Sequence, residues 1–134
     1  KGSNAEIKLG MPVLNEGNLV GRIVEVNFIS SRILLLNDLN SRIPVVISPT
    51  GSQAILSGVG KKNPSLQYLP ESFEISDKEN LVFTSGKDGV LFPGIAVGKV
   101  FLDDEKISVK LFSDPNQIVF VSVALEQATD TEAM

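Results

Sequence analysis

The stretch Val20-Gly21-Arg22-Ile23, followed by Ile33-Leu34-Leu35-Leu36-Asn37-Asp38-Leu39-Asn40, returns later in the chain. There it reads Val97-Gly98-Lys99-Val100, followed by Ile107-Ser108-Val109-Lys110-Leu111-Phe112-Ser113-Asp114-Pro115-Asn116. Gly21 and Gly98 lie 77 positions apart, and Asp38 and Asp114 lie 76 apart. Each copy has a glycine four residues before its motif glycine (Gly17 and Gly94), and each runs into a β-rich segment, Ile43 to Ile47 in one and Ile118 to Val123 in the other. Glycine inside a strand costs about 0.5–1 kcal/mol against alanine, so Gly21 and Gly98 are read as structural, marking a bulge or a sharp bend across a neighbouring strand. The expected fold is all-β: two small pseudo-duplicated barrels packed side by side, with very little helix.

Turn clusters punctuate the chain at short intervals, among them Asn15-Glu16-Gly17-Asn18, Pro49-Thr50-Gly51-Ser52, Lys87-Asp88-Gly89 and Asp103-Asp104-Glu105-Lys106. Runs of Val, Ile, Leu and Phe of strand length lie between them. The pattern predicts ten strands, at about 12–14, 19–28, 32–36, 43–48, 53–58, 66–69, 81–84, 95–102, 107–112 and 117–125. Helical periodicity is not sustained anywhere for three turns. The polar segment 70–80 is the candidate connector, dividing a first lobe at 1–72 from a second at 73–126, with 127–134 as a flexible tail. Strands shared between the lobes are compatible with this division.

Composition narrows the function. A chain of 134 residues is one ordinary domain or two very small ones, and halves of roughly 60–70 residues need a shared apolar seam. Apolar content of 43% and a mean hydropathy of +0.17 are enough for a core. Net charge −4 and a pI near 4.8 disfavour nucleic acid, whose phosphates need a basic footprint. The absence of cysteine and histidine removes disulfides, thiol nucleophiles, the Ser-His-Asp triad and most zinc sites. No catalytic residue, cofactor site or metal site is expected. No apolar run approaches 18 residues, so neither a signal peptide nor a membrane span is read here, and any anchor is expected upstream of Lys1.

The remaining motifs read as turn chemistry. Asp38 with Asn40, and Asp114 with Asn116, carry the short side chains of Asx turns. Thr84-Ser85-Gly86-Lys87 lacks the spacing of a phosphate loop, and Ser85 lacks a histidine base. Gly86 is therefore assigned to a tight turn between strands.

Several stretches together resemble the extracytoplasmic β-domain of the MreC family of rod shape-determining proteins. They are Gly10-Met11-Pro12-Val13, Leu19-Val20-Gly21-Arg22-Ile23, Leu35-Leu36-Asn37-Asp38-Leu39-Asn40-Ser41-Arg42-Ile43-Pro44-Val45, Gly58-Val59-Gly60, Thr84-Ser85-Gly86 and Phe92-Pro93-Gly94-Ile95-Ala96-Val97-Gly98-Lys99-Val100. They keep the family's order over roughly 7–125; Glu79-Asn80 stands where the family usually has Gly-Asp before Thr-Ser-Gly. The resemblance implies a non-enzymatic scaffold of the cell-elongation machinery that organises peptidoglycan synthesis on the outer face of the cytoplasmic membrane. It implies the elongation penicillin-binding transpeptidase, MreD, MreB and self-association as partners, with a membrane helix and coiled coil upstream. The alternative is the β-barrel module of a periplasmic adaptor in efflux or secretion. A trypsin-like double barrel with hydrolytic activity lacks its histidine. The candidate partner-binding residues are Val90, Leu91 and Phe92, which form either a docking ridge or a buried return strand.

Overall fold

Apolar side chains at every second position commit a chain to strands, because alternate residues of a strand face opposite sides of the sheet. The computed structural model describes residues 8–27, 30–60, 63–75, 79–87, 89, 91–103, 105–114 and 122–123. Ten strands follow one another: β1 (Pro12–Asn15), β2 (Asn18–Val26), β3 (Ser31–Leu35), β4 (Arg42–Ser48), β5 (Ser52–Ser57), β6 (Ser65–Gln67), β7 (Leu81–Thr84), β8 (Ala96–Asp103), β9 (Lys106–Leu111) and β10 (Ser122–Val123). No helix occurs among the described residues.

Six of these strands close a barrel in the order β8–β7–β4–β5–β6–β9, with β9 returning to β8. Every pairing around it is antiparallel. The closing seam is short: Ser65 pairs with Ser108, and the Val109 N–H donates to the Pro64 carbonyl at 2.9 Å. Closure satisfies edges that would otherwise recruit other chains. A smaller antiparallel sheet, β10–β1–β2–β3, joins the barrel through one parallel pairing, Asn18 with Ala96. A division at position 72 falls between β6 and β7, two strands of the same barrel. Closure needs β4–β6 from one side and β7–β9 from the other, so the two halves of the sequence interlock. The proposed tail lies outside the described residues.

The core follows the alternation. In β4, Ile43, Val45 and Ile47 are fully buried, while Pro44 and Val46 lie half-buried between them. Facing strands add Leu56, Val82, Val97 and Val109, and Leu19 and Leu36 reach in from the smaller sheet as the shared seam. Met11, Val13 and Ile23 form a second, smaller cluster against Val26 and Ile33.

The sequence repeat is a structural repeat. Gly21 pairs with Leu35, and Gly98 with Leu111. A methyl group on Gly21 would strike the Leu34 carbonyl and sit 3.0 Å from Leu35 Cα; one on Gly98 would strike the Lys110 carbonyl and sit 3.0 Å from Leu111 Cα. The hydrogen bonds match as well: Leu36 N–H to Val20 O (2.9 Å) answers Phe112 N–H to Val97 O (3.1 Å). Hence β1–β2–β3 and β7–β8–β9 are two copies of one three-stranded unit, each with a long strand crossing close to its partner.

Candidate partner-binding surface

Thr84 ends β7 almost fully buried. Its hydroxyl donates to the Phe92 carbonyl at 2.5 Å and accepts from the Ile95 N–H at 2.9 Å. Its backbone N–H donates to Ile95 O, and its carbonyl accepts from Gly94 N–H. These four bonds tie the 85–94 loop at its base. Within the loop, Gly86 takes φ +76° in the left-handed region and packs on the Pro93 ring. The Ser85 hydroxyl accepts the Lys87 N–H at 3.3 Å, which is turn closure rather than a nucleophile facing a base.

This anchoring sorts the ridge residues. Leu91 is 4% exposed and belongs to the barrel core, so it is corrected from a docking residue to a packing residue. Phe92 is 43% exposed. The bonds of Thr84 to Phe92 O and Ile95 N hold the strand of the loop such that Leu91 turns inward and Phe92 outward. Val90 lies outside the described residues.

The same loop is tied to the barrel wall, where Ser85 N–H donates to Pro44 O at 3.1 Å. Pro44, Gln53, Ala54, Ile55, Tyr68 and Lys87 line a shallow groove of about 300 Å³ there. Tyr68 is 81% exposed and holds φ +64°. A bulky residue in the left-handed region is unusual and costs on the order of 1–3 kcal/mol, so Tyr68 is held outward against its backbone preference. Sequence reading missed Tyr68. Its position beside Leu69-Pro70 at a strand end was legible, but its backbone conformation was not.

The turn residues occupy structural positions. The Asp38 carboxylate accepts the Asn40 N–H at 2.8 Å, closing an Asx turn. Gly58 and Gly60 seal that turn from the β5 side: Gly58 N–H donates to Ser41 O, and Gly60 N–H to Asn37 O at 2.7 Å. A side chain at Gly58 would collide with the Asp38 carbonyl, which gives the Gly58-Val59-Gly60 stretch a steric reason. Asp114 is exposed just after β9. Among the described residues, no group of three or more His, Cys, Asp or Glu side chains could hold a metal.

What remains is an acidic double β unit with a pinned loop and an aromatic groove. The family model for the rod shape-determining protein MreC, barrel core, matches residues 1–125. The chain belongs to the MreC family. It is 44% identical over 125 residues to the cell shape-determining protein MreC of Caulobacter vibrioides, covering 92% of this chain and 36% of that protein. To the Cereibacter sphaeroides MreC it is 34% identical, covering 91% and 41% respectively. The chain thus spans less than half the length of these relatives. Among solved structures, Pseudomonas aeruginosa MreC superposes with a TM-score of 0.79 at 30% identity, covering 93% of this chain and 85% of that one. The Helicobacter pylori MreC solved in complex with penicillin-binding protein 2 (PBP2) has the same fold, with a TM-score of 0.67 at 18% identity, covering 84% of this chain and 75% of that one. Membership in the MreC family sets aside the adaptor-barrel alternative.

Proposed function

We propose that the chain is the extracytoplasmic barrel module of a non-enzymatic scaffold in the cell-elongation machinery, and that it docks the penicillin-binding transpeptidase. The family match across nearly the whole chain carries this reading. The PBP2 complex of the Helicobacter pylori relative supports the class of partner. The exposed Phe92 and the Tyr68 groove supply an aromatic surface of the kind that anchors protein interfaces. A sequence without histidine or cysteine fits a role in recognition rather than in hydrolysis.

On this reading the module stands outside the cytoplasmic membrane, carried by upstream segments. MreD, MreB and self-association are engaged through the whole protein. No helix among the described residues is long and apolar enough to cross a membrane. The test is made in cells depleted of the native protein and supplied with the full-length gene carrying Phe92→Ser and Tyr68→Ser. Rounded cells despite normal protein accumulation are the expected outcome. Rod shape retained at native protein levels would overturn the assignment of this surface.

A further inference from the structure

The acidic chain carries a cationic groove that shares no lining residue with the Tyr68 groove. Lys99 of β8 and Lys110 of β9 stand directly opposite each other in register, both exposed. With Asn63, Val100 and Phe101 they line a groove of about 460 Å³. Like charges directly opposite across a ladder oppose the pairing, so folding gains nothing from this arrangement. The Glu79 carboxylate answers Lys99 at 3.0 Å, but the contact is solvent-exposed and such pairs contribute little. Among the described residues, no carboxylate lies within ion-pair distance of Lys110.

The chemistry of the groove restricts its ligand. Both ammonium groups are donors without acceptor capacity, so they call for an anion. Phe101 continues the Lys99 face of β8, two residues on, and is half-buried beside them. A small inorganic anion would leave that apolar floor uncovered. An anionic bilayer or nucleic acid needs a broader basic footprint than this pair of lysines. An extended peptide satisfies both demands, because residues two apart on a strand project to the same side. Two carboxylates at that spacing then face the two ammonium groups, with an apolar side chain over Phe101.

We propose that the groove between Lys99 and Lys110 binds an extended acidic segment of a partner protein, with carboxylates on alternate residues. Glu79 competes with that segment for Lys99. The site is independent of the Phe92–Tyr68 surface and of the identity of the transpeptidase.

The test is an amide chemical-shift titration of the isotope-labelled chain with a short peptide, Glu-Ser-Glu-Ser-Val, whose two glutamates and valine share one side when extended. Its glutamine counterpart and phosphatidylglycerol vesicles serve as the comparison probes. Shifts centred on Asn63, Lys99, Phe101 and Lys110, about tenfold weaker affinity in the Lys99→Gln/Lys110→Gln variant, and no response to the glutamine peptide are expected. Removing the like-charge pair relieves repulsion, so the variant keeps its fold; Lys110→Gln alone is the fallback. Glu79→Gln is expected to tighten binding about twofold, while Glu16→Gln, an equal change in net charge elsewhere, leaves it unchanged. Absence of shifts at millimolar peptide, shifts centred elsewhere, or affinity undiminished in the lysine variant would overturn the proposal. Vesicle binding through these lysines without peptide binding would overturn it in favour of a lipid surface. Equal tightening by Glu16→Gln would reduce it to net charge.

Discussion

Leu91 and Phe92 are neighbours in sequence and opposite in environment, and truncating each to alanine separates packing from docking. Leu91 is 4% exposed within the main core cluster. Removing a buried leucine side chain to Cβ typically costs about 2–5 kcal/mol, the upper part of the range applying where the surroundings cannot collapse. Collapse is restricted here, because the loop carrying Leu91 is fixed by the four bonds to Thr84. A loss of about 3 kcal/mol is therefore expected for Leu91→Ala. In a protein of this size that lowers Tm by roughly 10 °C. Phe92 is 43% exposed, and its truncation forfeits only the covered part of the ring, about 1 kcal/mol by area. Urea unfolding of the two variants, read as midpoint shifts at constant slope, gives both values. Equal losses, or a larger loss for Phe92→Ala, would refute the inward–outward assignment and with it the docking role proposed for Phe92.

Gly98→Ala and Gly21→Ala drive a methyl group onto a neighbouring backbone carbonyl; each is expected to destabilise by about 1–3 kcal/mol in urea unfolding, and a neutral result would contradict the close crossing. Thr84→Val keeps the shape but leaves the Phe92 carbonyl and Ile95 N–H without their shared hydroxyl, costing about 2 kcal/mol and accelerating amide exchange at Ile95; unchanged exchange would sink it. Asp38→Ala opens the Asx turn at a cost of about 0.5–1.5 kcal/mol, whereas Asp38→Asn retains most of the stability, a ranking checked by thermal unfolding.

The strands were legible because alternation is a direct physical consequence of a half-buried strand. Ile43, Val45 and Ile47 announce β4, and the turn residues delimit β8 and β9. Gly21 and Gly98 marked the repeat for a related reason: only a residue without Cβ tolerates the crossing that both copies make. The exchange of strands across position 72 was not fixed by any local signal, because barrel closure between Ser65 and Ser108 is a long-range event. The run Val90-Leu91-Phe92 fell between two readings since apolarity alone does not set the direction of a loop side chain. The Thr84 hydroxyl sets it, by bonds eight and eleven residues away. Tyr68 and the Lys99–Lys110 pairing needed φ and register, which composition does not carry.

The proposed function places recognition of the transpeptidase in these β units themselves. It is tested most directly by calorimetric titration of the chain with the extracytoplasmic part of the elongation transpeptidase from the same organism, alongside the Phe92→Ser/Tyr68→Ser variant. Saturable binding by the parent chain, lost in a variant whose unfolding curve shows it folded, is the predicted result. No binding by the folded parent at high micromolar concentration, or equal binding by parent and variant, would contradict it.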